Sequence, residues 1–150
     1  HKGVKWSETE SLLKSINALN LVNLKICGES FNAQELILKS DVVTGFCSTT
    51  LLEASVAGKP VIYPLFGEAQ DESYKDFLCF ENELDMFDVA TSKDEYKDLL
   101  IKKMKQPKVS QEKMKLRRLN FDKYVSLLDS SAVKKHTELI INEVKKISIS

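Results

Sequence analysis

The sequence predicts a doubly wound α/β fold, a parallel sheet with helices on both faces, and three observations carry that expectation. Short runs rich in β-branched and apolar residues alternate with segments of helical periodicity. The connections between them are short, as in βαβ units, where each strand is followed by a helix that carries the chain back. A length of 150 residues with 43% hydrophobic content, five glycines and three prolines is also enough to bury one core. One domain over 1–150 is therefore expected, with a helical tail from about 107.

The elements follow in order. Ser7 precedes Glu8 and Glu10, acids in the first turn as a helix start prefers, and Leu12, Leu13, Ile16 and Leu19 recur at helical spacing, so 7–19 reads as a helix. LVNLKIC at 21–27 reads as a strand ending at Gly28. Asn32 is placed to cap a helix running to about Lys39. DVVTGF at 41–46 is a second strand, and a helix over 49–57 is stopped by Gly58 before Lys59-Pro60 leads into the strand VIYPLF at 61–66. Residues 71–80 read as helical and FDVA at 87–90 as a strand. Ser92 with Glu95 forms a capping box for a helix through Met104, which Pro107 ends. Helices over 110–128 and 131–147 complete the chain. Their leucine, isoleucine and valine stripes, through Leu116, Leu119, Leu127 and Leu128 and then Val133, Leu139, Ile140 and Val144, are expected to be covered.

In such sheets ligands sit beyond the carboxyl ends of the strands, so the loops 28–32, 46–49, 66–71 and 91–92 are where a site is expected.

Composition narrows the function. No apolar run approaches the ~20 residues that cross a bilayer, and no signal peptide is visible, so a soluble protein is expected. Cys27, Cys47 and Cys79 are odd in number and lack CxxC spacing, which indicates neither a disulfide framework nor zinc and makes a reducing cytoplasm the expected location. The net charge is zero, but residues 1–101 hold 9 Lys and Arg against 17 Asp and Glu, and residues 102–150 hold 13 against 5. The basic tail is either a solvated helical face or a surface for an anionic partner such as lipid. No nucleic-acid partner is expected.

The chemistry concentrates in GFCSTTLLEASVAGKP, from Gly45 to Pro60. A helix N-terminus offers unpaired N–H groups to a phosphate, and Ser48, Thr49 and Thr50 add hydroxyl donors. Glu53 shares a helical face with Thr49 and Thr50 and is suited to accept hydrogen bonds from the two hydroxyls of a ribose. The same residue types also fit a plain capped helix with a solvated acid.

SDVVTGFCSTTLLEASVAGKPVIYP, residues 40–64, resembles the nucleotide-binding segment in the C-terminal domain of GT-B glycosyltransferases, most of all the bacterial surface-carbohydrate branch. That branch contains capsule polysaccharide transferases and CDP-glycerol glycerophosphotransferases. The resemblance implies a Rossmann-like domain in which Ser48, Thr49 and Thr50 hold the phosphate of a nucleotide-sugar or CDP-linked donor and Glu53 holds its ribose. It further implies that Glu29 and Ser30, in the loop GESFN, lie near the base, and that His1 is what remains of a catalytic His-Pro element, although Lys2 stands where the family has proline. No metal and no separate cofactor are implied. The N-terminal domain that such an enzyme needs is missing from this chain, so the chain alone is expected to bind and hardly to catalyse. Two alternatives stay open: a nucleotide-sugar 2-epimerase, whose paired glycines and paired acids this loop lacks, and a non-catalytic interaction module using the basic helices.

Overall fold

A computed structural model describes Ser11, Lys14 and residues 32–46, 48–125 and 131–149. The chain divides at residue 31 into two units, and every element below belongs to the second, 32–150. The predicted strand at 21–27 and most of the predicted helix at 7–19 lie outside the described residues. Ser11 and Lys14, from that helix, are helical.

The second unit is α/β, a three-stranded parallel sheet flanked by helices. Helix α1 (Ala33–Lys39) begins at Asn32, whose side-chain oxygen accepts from the Gln34 N–H at 2.9 Å. Strand β1 (Val43–Thr44) leads through the hydroxyl-rich turn to α2 (Thr50–Val56), then to β2 (Val61–Pro64). Three 3₁₀ turns at 67–70, 72–77 and 81–86 connect β2 to β3 (Asp88–Ala90), and α3 (Lys93–Lys105), α4 (Gln111–Tyr124) and α5 (Ala132–Ile149) follow. The strands lie in the order β1-β2-β3, with Val43 opposite Val61 and Ile62 opposite Asp88.

Val61, Ile62 and Tyr63 are consecutive and all fully buried, so both faces of the central strand are covered. That is the pattern of a parallel sheet, where no alternate residue faces water. Leu51, Leu52 and Ala54 of α2 meet Val61, Tyr63, Met86 and Phe87 in the core. The Tyr63 and Phe87 rings stack with centroids 5.5 Å apart. Pro64 has no N–H to give a ladder and is the last residue of β2.

Gly58 ends α2 as predicted. At φ 76° it is in the left-handed region that favours glycine. Its N–H donates to the Ser55 carbonyl at 3.1 Å, and the Lys59 N–H to the Ala54 carbonyl at 3.0 Å, the two bonds of a Schellman motif. Ser92 likewise caps α3, accepting from the Glu95 N–H at 3.2 Å, while the Glu95 carboxylate reaches back one residue further than a standard capping box, to the Thr91 N–H at 2.7 Å.

Three expectations are corrected. Most of the predicted helix at 71–80 is 3₁₀ in the structure; Asp71 accepts from the Ser73 N–H and hydroxyl, and this local bonding starts a tight turn in place of an α-helix. Helix α4 docks through Arg117 and Phe121 and leaves Leu116 and Leu119 of the predicted stripe outward, 40% and 65% exposed, while Leu127 and Leu128 lie outside the described residues. In α5 the stripe is uncovered as well, Val133 being 77% and Ile140 65% exposed. Finally, Arg117 and Lys113 are not free charges of a basic surface. Arg117 is fully buried, and Lys113 is held by Asp88 at 2.7 Å and by the Phe87 carbonyl at 2.6 Å.

Candidate functional site

All three strands point their carboxyl ends at one cavity of about 530 Å³. Thr44, Gly45 and Phe46 line it where β1 ends. Pro64, Phe66, Gly67 and Glu68 line it beyond β2, and Lys93 and Tyr96 beyond β3. Loops 46–49 and 66–71, named from the sequence, therefore reach the same space, and the 91–92 turn leads to it through Lys93. Its walls are mainly apolar, with Phe66 and Tyr96 meeting edge to face at 6.0 Å. One ammonium group and one carboxylate, Lys93 and Glu68, complete the described lining.

Tyr63 fixes the rim. Its ring is buried, and its hydroxyl is shared between the carbonyls of Phe46 at 3.1 Å and Cys79 at 3.0 Å. The Cys79 N–H also donates to the Phe46 carbonyl at 3.1 Å, so the residue after Gly45 is tied to the 78–80 segment at two points. Gly45 leaves little room for a side chain: a Cβ there would meet the Leu51 side chain at 3.3 Å, so a larger residue makes Leu51 give way by a few tenths of an ångström.

The predicted phosphate-and-ribose residues are distributed around this turn and do not share a single cavity. Ser48 is half-buried and its hydroxyl accepts from the Thr50 N–H at 3.2 Å, so Ser48, and not Thr49, supplies the side-chain cap of α2. Thr49 is exposed and its carbonyl accepts from the N–H groups of Leu52 and Glu53. Thr50 borders a shallow groove with α1, where Ala33, Leu36 and Ile37 lie. Glu53 accepts from the Gln34 side chain at 3.0 Å, which links α2 to α1. His1, Glu29 and Ser30 lie outside the described residues.

Thr49 and Glu53 instead border a second, more enclosed cavity of about 450 Å³. Its remaining described walls are Leu52, Phe80, Phe121, Tyr124 and Val125. Phe80 adopts φ 64°, a left-handed conformation that costs a bulky residue, and is held there by ring contacts to Tyr124 at 5.5 Å and Phe87 at 6.0 Å. Glu83 anchors this wall, accepting from the Tyr124 hydroxyl at 2.6 Å and from Lys123 at 2.7 Å. Those two hydrogen bonds, Lys123 first, hold its carboxyl below the usual carboxylate range. A slot with three aromatic rings, the hydroxyls of Thr49 and Tyr124 and one carboxylate suits a ring that carries hydroxyl donors.

The acidic loop 67–73 gives up most of its charge to local bonds. Asp71 caps the following turn, Glu72 pairs with Lys75 at 3.8 Å, and Glu68 alone lines the sheet-edge cavity. Among the described residues no three His, Cys, Asp or Glu side chains gather as a metal site would require, and no helix is long and apolar enough to cross a membrane.

Comparison with protein-family models, with curated proteins and with solved structures finds no match to this chain.

Sequence reasoning missed Phe80, Phe121 and Tyr124 as a shared wall, because they lie on two separate elements and reach one another only through the docking of α4. It also missed Lys93 and Tyr96. Their position in the first turn of the predicted helix, just after the capping signal at Ser92 in a loop already expected to face the crevice, was the available clue.

Proposed function

We propose that this chain is the nucleotide-donor-binding domain of a GT-B-type transferase, a glycosyltransferase or a CDP-glycerol glycerophosphotransferase, acting in bacterial surface polysaccharide synthesis. The observation that carries the reading is the pair of cavities flanking the hydroxyl-rich turn. Phe46 borders the one at the sheet edge, and Thr49 and Glu53 border the aromatic one. The nucleoside occupies the aromatic cavity, its ribose hydroxyls donating to Glu53, whose second oxygen has no donor among the described residues. The phosphates cross the turn at Ser48–Thr50 into the sheet-edge cavity, which also takes the transferred group. A Rossmann-like half of a GT-B enzyme is the finer fold this implies, and the parallel order of the three strands supports it.

The reaction is a displacement. An acceptor oxygen forms a bond to the anomeric carbon, or to the glycerol-bearing phosphorus, and the bond from that atom to the nucleotide phosphate oxygen breaks. The nucleotide leaves with the electron pair, and the acceptor proton passes to a base on a second domain. Donor amides and cations act where charge grows on the leaving phosphate. The donor is cytoplasmic in such pathways, and the exposed Lys115, Arg118, Lys134 and Lys135 suit the inner face of an anionic membrane.

Calorimetry with UDP, CDP and CMP tests the reading. At least one of them binds. Glu53→Gln keeps α2 and weakens the interaction by about 1–3 kcal/mol, as for a lost charged hydrogen bond. No heat with any of the three nucleotides removes the proposal, and an unchanged Kd in the variant removes the ribose role of Glu53.

A further inference from the structure

We infer that Lys93 is the cation that holds the phosphate of the ligand in the sheet-edge cavity, and that Glu68 faces the hydroxyl-bearing group attached to it. The inference rests on the proposed donor-binding reading and adds the charge that reading lacks. A diphosphate brings two or more negative charges, while the turn at Ser48–Thr50 supplies neutral donors only. Of the residues lining the 530 Å³ cavity, Lys93 is the one cation described.

Several other described lysines are already engaged. Lys103 and Lys113 are on Asp88, Lys123 on Glu83, Lys39 on Glu35, and the Lys59 ammonium donates to the Leu38 carbonyl at 2.8 Å. Among the described residues, neither an ion pair nor a hydrogen bond engages Lys93. The acids nearest to it are accounted for. Glu95, in the same helical turn, accepts from the Thr91 N–H and hydroxyl at 2.7 and 2.8 Å. Asp94 is exposed at the next position and is not in the described lining. Glu68 lines the cavity from the loop after β2 and forms no ion pair with Lys93.

An ammonium and a carboxylate that line one cavity without meeting are complementary to a ligand with an anion at one end and hydroxyl donors at the other. That is the chemistry of a phosphorylated sugar or polyol, and a bare nucleoside does not supply it. The apolar rings of Phe66 and Tyr96, which line the same cavity, suit the C–H face of such a group.

Calorimetry with CDP, UDP and the corresponding nucleosides separates the possibilities, using Lys93→Ala, Lys93→Arg and, as a control one turn along α3, Lys97→Ala. The expected result is that Lys93→Ala weakens the diphosphate by roughly ten- to a hundredfold, leaves the nucleoside unchanged, and flattens the salt dependence of binding. Lys93→Arg retains most of the affinity and Lys97→Ala all of it. Lys93 is exposed, so an unchanged melting temperature of Lys93→Ala is the check that the variant folds. An unchanged diphosphate affinity in a folded Lys93→Ala overturns the inference and leaves the donor-binding reading standing. No nucleotide binding by the unaltered chain overturns both.

Discussion

A guanidinium with no exposed surface must find its acceptors inside the protein. Arg117 reaches the Met86 carbonyl with Nε at 2.8 Å and the Lys59 carbonyl with Nη1 at 2.8 Å. Nη1 also lies 3.4 Å from the Ser55 carbonyl, so the positive charge sits where α2 exposes its last carbonyls. Removing it leaves those acceptors buried without donors and opens a cavity between α2 and α4. Arg117→Ala is therefore expected to lose about 3 kcal/mol or more in urea unfolding, and a loss under about 0.5 kcal/mol contradicts this role. Ser55 offers the opposite test. Its hydroxyl is buried with no partner among the described residues, so Ser55→Ala is expected to be neutral or stabilising by up to about 1 kcal/mol, and a clear loss disproves it. Neither role was legible in the sequence. Arg117 stands in a run of basic residues that reads as a solvated face, and only the docking of α4 decides which member of the run turns inward.

At the scale of elements, α3 and α4 are fastened to β3 through Asp88. Its two oxygens meet Lys103 of α3 at 2.8 Å and Lys113 of α4 at 2.7 Å. Burial alone would raise the Asp88 pKa, but the hydrogen bonds and charges of the two lysines outweigh it and hold the carboxyl below its usual range. A carboxylate depressed in the folded state contributes stability that is present above its unfolded pKa, near 4, and lost as pH falls through the folded value. Urea midpoints measured from pH 7 down to pH 3 are expected to fall, and to fall less steeply for Asp88→Asn, whose stability at pH 7 is already lower by roughly 2 kcal/mol. An unaltered pH slope in the variant contradicts the assignment. Element boundaries set by local chemistry were legible in the sequence: Asn32, Gly58 and Ser92 begin or end helices where the capping rules place them. The 3₁₀ turns over 67–86 were less so, because their acids and aromatics show no clean period: the one at 72–77 starts from the local bonds of Asp71, and the one at 81–86 follows Phe80, whose ring packs on Phe87.

For the molecule as a whole, the parallel sheet and the cavity at its carboxyl edge followed from the alternation of elements, whereas the second, aromatic cavity did not, since it depends on where α4 packs. The uncovered stripe of α5 and the exposed lysines of the basic tail bear on partners. Co-sedimentation with anionic vesicles is expected at low salt and to be lost at high salt, each lysine or arginine close to the surface adding up to about 1 kcal/mol. Binding indifferent to salt, or absent at low salt, contradicts an electrostatic attachment. Amide chemical-shift mapping of the chain titrated with CDP and UDP decides whether the turn between the two cavities carries a nucleotide. Saturable shifts are expected at Gly45–Glu53, at Phe66–Glu68 and at Lys93–Tyr96, with α5 unmoved. No saturable shifts, or shifts confined to the basic helices, would contradict nucleotide binding at the turn.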